Sequence, residues 1–474
     1  MHILHIALGG CLRAPPVIYG ITPDTGGHIA YVLEAALAQA RRPDVTHVTI
    51  VTRRFRNESL GSIHDQAVEP VTDKVTILRI GPQDAPYREK DEALSDLPGL
   101  AVALHACATL PDRQFDVIHT HFSDAAALGL DLGRALNLPV IYTPHALGID
   151  KLDAGGTDCP ALRERIRRER TAIASSDGII VSTRDEAYKQ IPRYGVPSGL
   201  GSLRLITPGV PTLASAEASQ GRAFLAEHLA EPDRPIILAI ARAVRKKNLA
   251  HLARSYAQSP DLQERANLVI LSGQHEGLQP GTEEHEVVTE LKQIRASGGL
   301  DHCFALPPSH RAADVAGLYR LAAQGRGVFV NPALHEPFGL TLLEAASVGL
   351  PVIATNRGGP VDIIRSIGHG LLVSPDSLTD LSQALRHLLG TPALWRKFAD
   401  AANDSSPALG WQEYAAHSVS FYRQLIESRH RPEYSSGSGA NLELISTARG
   451  IPSSQMGMTP VIVPTTDRLT EARA

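Results

Sequence analysis

Residues 331–360, NPALHEPFGLTLLEAASVGLPVIATNRGGP, constrain the fold more than any other stretch. The apolar residues 327–330 before them read as a buried strand, a loop carrying His335, Glu336 and Gly339 follows, and apolar spacing from Leu340 predicts a short helix stopped by Gly349 and Pro351. Strand, loop, helix, strand is the building unit of a parallel sheet, and its loop opens at the carboxyl end of a strand. The helix start offers free backbone N–H groups and the positive end of a dipole, which suit a phosphate or pyrophosphate. Glu336 and Glu344 add two carboxylates at the same loop, one suited to sugar hydroxyls and the other to ribose hydroxyls. A second reading of Glu344 stands beside this one: TLLE at 341–344, before an apolar run, is also a capping box, in which the carboxylate only returns a hydrogen bond to the helix start.

At 474 residues the chain is too long for one ordinary core, so about two or three domains are expected. A formal charge of −4 leaves no broad basic field, which argues against a nucleic-acid partner. Cys11, Cys107, Cys159 and Cys303 lack metal-ligand spacing and are too scattered for a disulfide framework, so reduced thiols are expected. No lysine or arginine precedes the short apolar run 3–12, which therefore reads as a first strand rather than a signal, and no stretch approaches the roughly 20 apolar residues of a membrane span. A cytoplasmic enzyme without a membrane anchor is the expectation.

Along the chain, branched apolar runs at 2–8, 47–53, 74–80, 115–121, 139–143 and 178–184 read as strands, separated by helical periodicity. Several end in polar loops: DTGGH at 24–28, the pair His119 and His121, then PHALG at 144–148 and STRDE at 182–186. The helix at 162–176 carries arginines that read as a solvated face. Residues 211–235 read as a linker with a short helix, after which a strand at 235–240 restarts the pattern. Four cations follow it, Arg242, Arg245, Lys246 and Lys247, and such a cluster would repel itself without an anionic ligand. Strands are also expected at 267–272 and beyond the central unit. From about residue 433 the composition turns to Ser, Gly, Pro and Thr without periodicity, which predicts a disordered tail.

These strings together resemble the retaining glycosyltransferases of the GT-B fold, in glycosyltransferase family 4, and most of all the sucrose synthase and sucrose-phosphate synthase branch. The resemblance rests on residues 315–362, on RAVRKKN at 242–248, on DTGGH, on TPHALG and on STRDE. It implies an α/β fold of two doubly wound, Rossmann-like parallel-sheet domains facing across a cleft. The divisions expected are 1–212 for acceptor binding, 213–409 for the nucleotide-sugar, 410–430 for a helix crossing back, and 431–474 for the tail. It further implies a hexosyltransferase moving glucose from UDP-glucose to fructose 6-phosphate with retention, with sucrose synthase or a retaining enzyme of another acceptor as alternatives, and a non-catalytic sugar-nucleotide sensor as a distant one.

Carried over residue by residue, the resemblance assigns His145, Arg242, Lys247 and Glu336 to catalysis. Gly26, Gly27, His310, Phe338, Gly339, Leu340, Thr341 and Glu344 would bind the donor, the segment ending at His310 lying where the family cradles the base. His121, Arg88, Lys90 and Arg184 would meet the acceptor or its phosphate. His28 replaces the usual glutamine, Ala146 a serine and Ile149 an arginine. No D-x-D string occurs, so neither an essential metal nor another cofactor is expected.

Overall fold

The computed structural model describes residues 1–18, 20–22, 24–89, 92–111, 113–153, 158–196, 202–210, 213–405 and 410–430. Lys90 and the expected tail at 431–474 lie outside them. The described residues divide into two compact units: 1–210 together with 410–430, and 213–405.

The first unit holds β1 (His2–Ile6), β2 (His47–Arg53), β3 (Val68–Thr72), β4 (Val75–Ile80), β5 (Val117–His121), β6 (Val140–Thr143), β7 (Gly178–Val181) and β8 (Ser202–Leu205). They form one sheet in the order β3-β4-β2-β1-β5-β6-β7-β8. Every pairing is parallel except β3 with β4. That edge strand is not expected from sequence, because Pro70 in VEPVT demotes the run; Pro is tolerated at an edge, where its missing N–H breaks no ladder. The helix Gly27–Ala40 packs its Ile29, Val32, Ala35 and Ala36 against the sheet, and Trp411, Tyr414, Val419 and Tyr422 of the helix Trp411–His430 complete the same core.

The second unit holds β9 (Ile236–Ile240), β10 (Asn267–Leu271), β11 (Phe304–Ala305), β12 (Val328–Asn331), β13 (Val352–Thr355) and β14 (Gly370–Val373). Its sheet is wholly parallel, in the order β11-β10-β9-β12-β13-β14. Strands buried on both faces explain the near-continuous apolar runs. Among the described residues no helix is long and apolar enough to cross a membrane.

Residues 218–225 form the short helix expected within 211–235, but as a packed element of the second unit. The helix Ala218–Leu225 begins in a capping box of Glu217 and Gln220 and packs into the second unit, where a Cβ on Gly221 would lie 2.5 Å from the backbone of Gly317. Two glycines let the backbones of this helix and the helix Ala312–Gln324 touch. Small residues here signal close packing, not slack chain.

In each sheet the strand order reverses once, between β1 and β5 in the first and between β9 and β12 in the second. Loops leaving the carboxyl ends of those strands diverge, and ligands of open α/β sheets bind in the crevice so opened.

Candidate active site

At the reversal in the second unit, the loop after β9 and the loop after β12 meet through one ion pair. Lys247 Nζ donates to Glu336 Oε2 at 2.5 Å, and Asn331 Nδ2 donates to the same oxygen at 3.2 Å. The lysine reaches this point because a short 3-10 turn, Arg245–Lys247, ends at Asn248 in the left-handed region (φ 55°). Asn248 Nδ2 then ties the turn to the carbonyls of Pro332 and Pro375 at 3.1 and 3.0 Å. Asparagine tolerates that backbone better than most residues. Burial alone would raise the Glu336 pKa, but the Lys247 charge and hydrogen bond, with Asn331, outweigh it and hold the carboxyl below its ordinary range. Glu336 is therefore ionised at neutral pH, an acceptor of hydroxyl hydrogen bonds and not an acid.

The four cations need less help than their spacing implies. Arg245 Nη2 pairs with Glu286 at 2.5 Å and Lys247 with Glu336, so carboxylates of this unit already offset two of them. Arg242 lies half-buried on the same loop.

Gly339, at φ 102°, opens the helix Leu340–Ala346, with Leu340 and Thr341 in its first turn and half-buried Phe338 just before it. The capping-box reading is not realised. The helix start carries no side-chain cap, and Glu344 Oε2 instead accepts from Tyr319 OH at 2.8 Å. Burial raises the Glu344 pKa, against the lowering effect of the tyrosine bond. His310 lies half-buried after β11, its carbonyl accepting from Gln274 Nε2 at 3.0 Å and its imidazole pushed down by burial.

In the first unit, loops after β1, β5 and β6 meet around His145. A Cβ on Gly10 would lie 2.6 Å from the Asp24 carbonyl, so the Gly9-Gly10 turn needs its glycine there, at φ 75°. Asp24 Oδ2 accepts from Gly10 N at 3.0 Å and Thr25 Oγ1 from Cys11 N at 2.9 Å, which sets Gly26 and Gly27 at the start of the following helix. An added Cβ on Gly26 would meet nothing within 4 Å. The His28 ring lies 5.1 Å from Phe122 and 6.4 Å from His145, and Phe122 and Tyr31 stand 5.0 and 4.6 Å from His145. Phe122 and His145 both hold left-handed backbone, φ 70° and 56°, where bulky side chains are strained; such residues gather at functional sites.

The PHALG loop is held from the helix Pro160–Ser175. Arg165 Nη2 donates to the Ala146 carbonyl at 2.6 Å, and Glu169 accepts from Gly148 N at 2.8 Å, from Tyr194 OH at 2.5 Å and from Arg165 Nε at 2.7 Å. The solvated-face reading of this helix thus fails at Arg165, whose partner is a fully buried carboxylate. Their spacing of four residues was the available signal.

Among the described residues, the expected acceptor residues have different surroundings. His121 is fully buried, with its ring nitrogens bonded to His5 and His145, so it stands behind His145. Arg88 pairs with Asp96 Oδ1 at 2.5 Å and with Ser95 Oγ at 3.0 Å. Arg184 is exposed, two residues before Glu186. Glu186 is a buried carboxyl of STRDE: its Oε2 accepts from Ser182 N at 2.7 Å, and burial, added to by Asp185 and Asp150, raises its pKa to about 7. The folded state holds this proton more tightly than the unfolded chain, so its contribution to stability is present below pH ~4.5 and lost as pH rises through about 7. Glu186→Gln should flatten that slope, on the order of 3 kcal/mol, in denaturant titrations across this window. An unchanged slope would place the titration elsewhere.

Two families match the chain: Glycosyl transferase 4-like domain over residues 26–201, and Glycosyl transferases group 1 over residues 222–405. Sucrose-phosphate synthase 1 of Arabidopsis thaliana is 29% identical over 93% of this chain and 49% of its own length. Sucrose-phosphate synthase of Spinacia oleracea is 30% identical over 89% and 47%. The chain thus spans about half the length of the curated relatives it matches. Among solved structures, a sucrose-phosphate synthase from Thermosynechococcus elongatus superposes with a TM-score of 0.74 at 25% identity, covering 90% of this chain and 99% of that one. With two parallel-sheet units, each matching a glycosyltransferase domain, this chain belongs to the GT-B glycosyltransferases.

Proposed function

We propose that the chain is a retaining hexosyltransferase that moves glucose from UDP-glucose to fructose 6-phosphate, giving sucrose 6-phosphate. The observation that carries the donor half is the Lys247–Glu336 ion pair at 2.5 Å across the β9/β12 reversal. It sets a cation and an ionised carboxylate side by side where such sheets bind nucleotides. The likeness to sucrose-phosphate synthases over most of the chain supports the acceptor.

In this reading Arg242 and Lys247 neutralise the charge that grows on the leaving diphosphate, Arg242 as a bidentate fork and Lys247 as a point charge. Glu336 accepts hydrogen bonds from the glucosyl hydroxyls and turns the sugar. The bond from the anomeric carbon to the diphosphate oxygen breaks, the acceptor hydroxyl oxygen bonds to the same face of that carbon, and its proton passes to the departing diphosphate oxygen. Glu344, anchored by Tyr319, holds the ribose. Glu344→Ala is expected to raise the donor KM about tenfold with kcat within about twofold, read from initial rates over a donor titration. A fall in kcat with unchanged KM would remove Glu344 from the ribose.

The reaction is tested by incubating UDP-[1-13C]glucose with fructose 6-phosphate and reading the anomeric carbon of the product by NMR. An α-glucoside of fructose 6-phosphate is expected. A β-glucoside would reject retention, and free glucose alone would reject the acceptor.

A further inference from the structure

Behind His145 a run of buried side chains shares one hydrogen-bond sequence within the first unit. Gln39 Nε2 lies 3.0 Å from Ser418 Oγ and 3.1 Å from Tyr422 OH, while Gln39 Oε1 lies 2.8 Å from His5 Nε2. The Ser418 hydroxyl is turned to the Ala415 carbonyl at 3.4 Å, so its lone pair accepts from the Gln39 amide. The amide is thereby oriented, and Oε1 receives the proton of His5 Nε2.

The consequence propagates, because a neutral imidazole carries one N–H and one lone pair. His5 Nδ1 is then an acceptor, and its 2.9 Å contact is donated by His121 Nε2. His121 Nδ1 is an acceptor in turn, and its 2.8 Å contact is donated by His145 Nε2. His145 Nε2 therefore carries a proton. A second branch agrees with the first: Tyr422 OH, accepting from Gln39, donates to His119 Nδ1 at 2.6 Å, and His119 Nε2 donates to Thr143 Oγ1 at 2.7 Å. One proton order satisfies all six ring nitrogens of His5, His119 and His121.

That order requires neutral rings. Burial pushes His5 down to about 4, and burial followed by neighbouring imidazoles pushes His119 and His121 well below the usual range. The nearest ring nitrogens of these three histidines lie within 4.8 Å of one another, a spacing a cation could use. A cation would need the lone pairs that the proton order already occupies, so the two exclude each other.

We infer that Gln39 is a positioning residue which, through His5 and His121, fixes the proton of His145 on Nε2 and with it the orientation of that ring. The catalytic role of His145 rests on the transferase reading above. The proton order does not.

The test is a long-range 1H–15N correlation spectrum of the full chain with 15N-labelled histidine, near neutral pH and without substrate. His5, His119, His121 and His145 should all show Nε2 protonated, with Nδ1 bare on the first three. Gln39→Leu should mix the tautomers of His5, His121 and His145 and lower kcat on the order of tenfold, with the donor KM nearly unchanged. Gln39→Glu, which keeps an acceptor for His5, should preserve the Nε2–H signature of the chain to His145. An unprotonated His145 Nε2, a wild-type signature in Gln39→Leu, or stoichiometric bound metal in the purified protein would overturn the inference. The expected spectrum in a protein with no transfer activity would support the proton order while rejecting the transferase reading.

Discussion

Lys247→Met is expected to lower kcat by about three orders of magnitude, with a smaller loss for Glu336→Gln and, for the double variant, a loss well short of the product of the two. Two things vanish with the ammonium. In the proposed reaction the leaving diphosphate loses a cation, and Glu336 loses the partner that keeps its buried carboxyl ionised. The single lysine variant should also be less stable by about 2 kcal/mol, since a buried carboxylate is left uncompensated, and Glu336→Gln should restore most of that. Initial rates and denaturant melts on the three variants check both statements. Losses that simply multiply in the double variant would mean that lysine and glutamate act apart, against the geometry of one shared oxygen.

Gly358→Ala is expected to lower kcat at least a hundredfold, although position 358 touches no substrate in this account. A Cβ there would lie 2.2 Å from the Glu336 carbonyl and 2.9 Å from the His335 ring, on a backbone at φ 86°. The close approach is the bridge by which Glu336 pairs with Gly358, reinforced by Gly359 N donating to the Glu336 carbonyl at 2.9 Å. Alanine would have to push residues 335–336 away, and a displacement near 1 Å at a reacting centre is enough for a loss of this size. The variant should still melt cooperatively, since the affected contacts lie at a loop beyond the sheet. Wild-type kcat in Gly358→Ala would show that Glu336 needs no such placement.

The sheets were legible because their strands are buried on both faces and written as branched apolar runs; residues 47–53 form a strand with the expected bounds. Legibility failed where a local rule was overridden by packing. Pro70 hid an edge strand, and the small residues around Gly221 looked like linker while serving a close helix contact. At the site, Lys247 and Glu336 stood out because charged loops next to apolar strands are conspicuous. His5, Gln39, Ser418 and Tyr422 did not. His5 is one polar letter in an apolar strand, Gln39 ends a helix of ordinary amphipathic pattern, and Tyr422 is 383 positions further on. Only the folded first unit brings them together. TLLE at 341–344 failed in the opposite sense: its spacing satisfies a cap, yet Tyr319 competes for the same carboxylate and wins.

The central claim is most directly tested by measuring release of UDP from UDP-glucose with fructose 6-phosphate, with fructose, and with no acceptor, in parallel. The account predicts turnover that depends on fructose 6-phosphate and is about a thousandfold slower in Lys247→Met. Turnover with fructose alone, or release equal in all three arms, would contradict it.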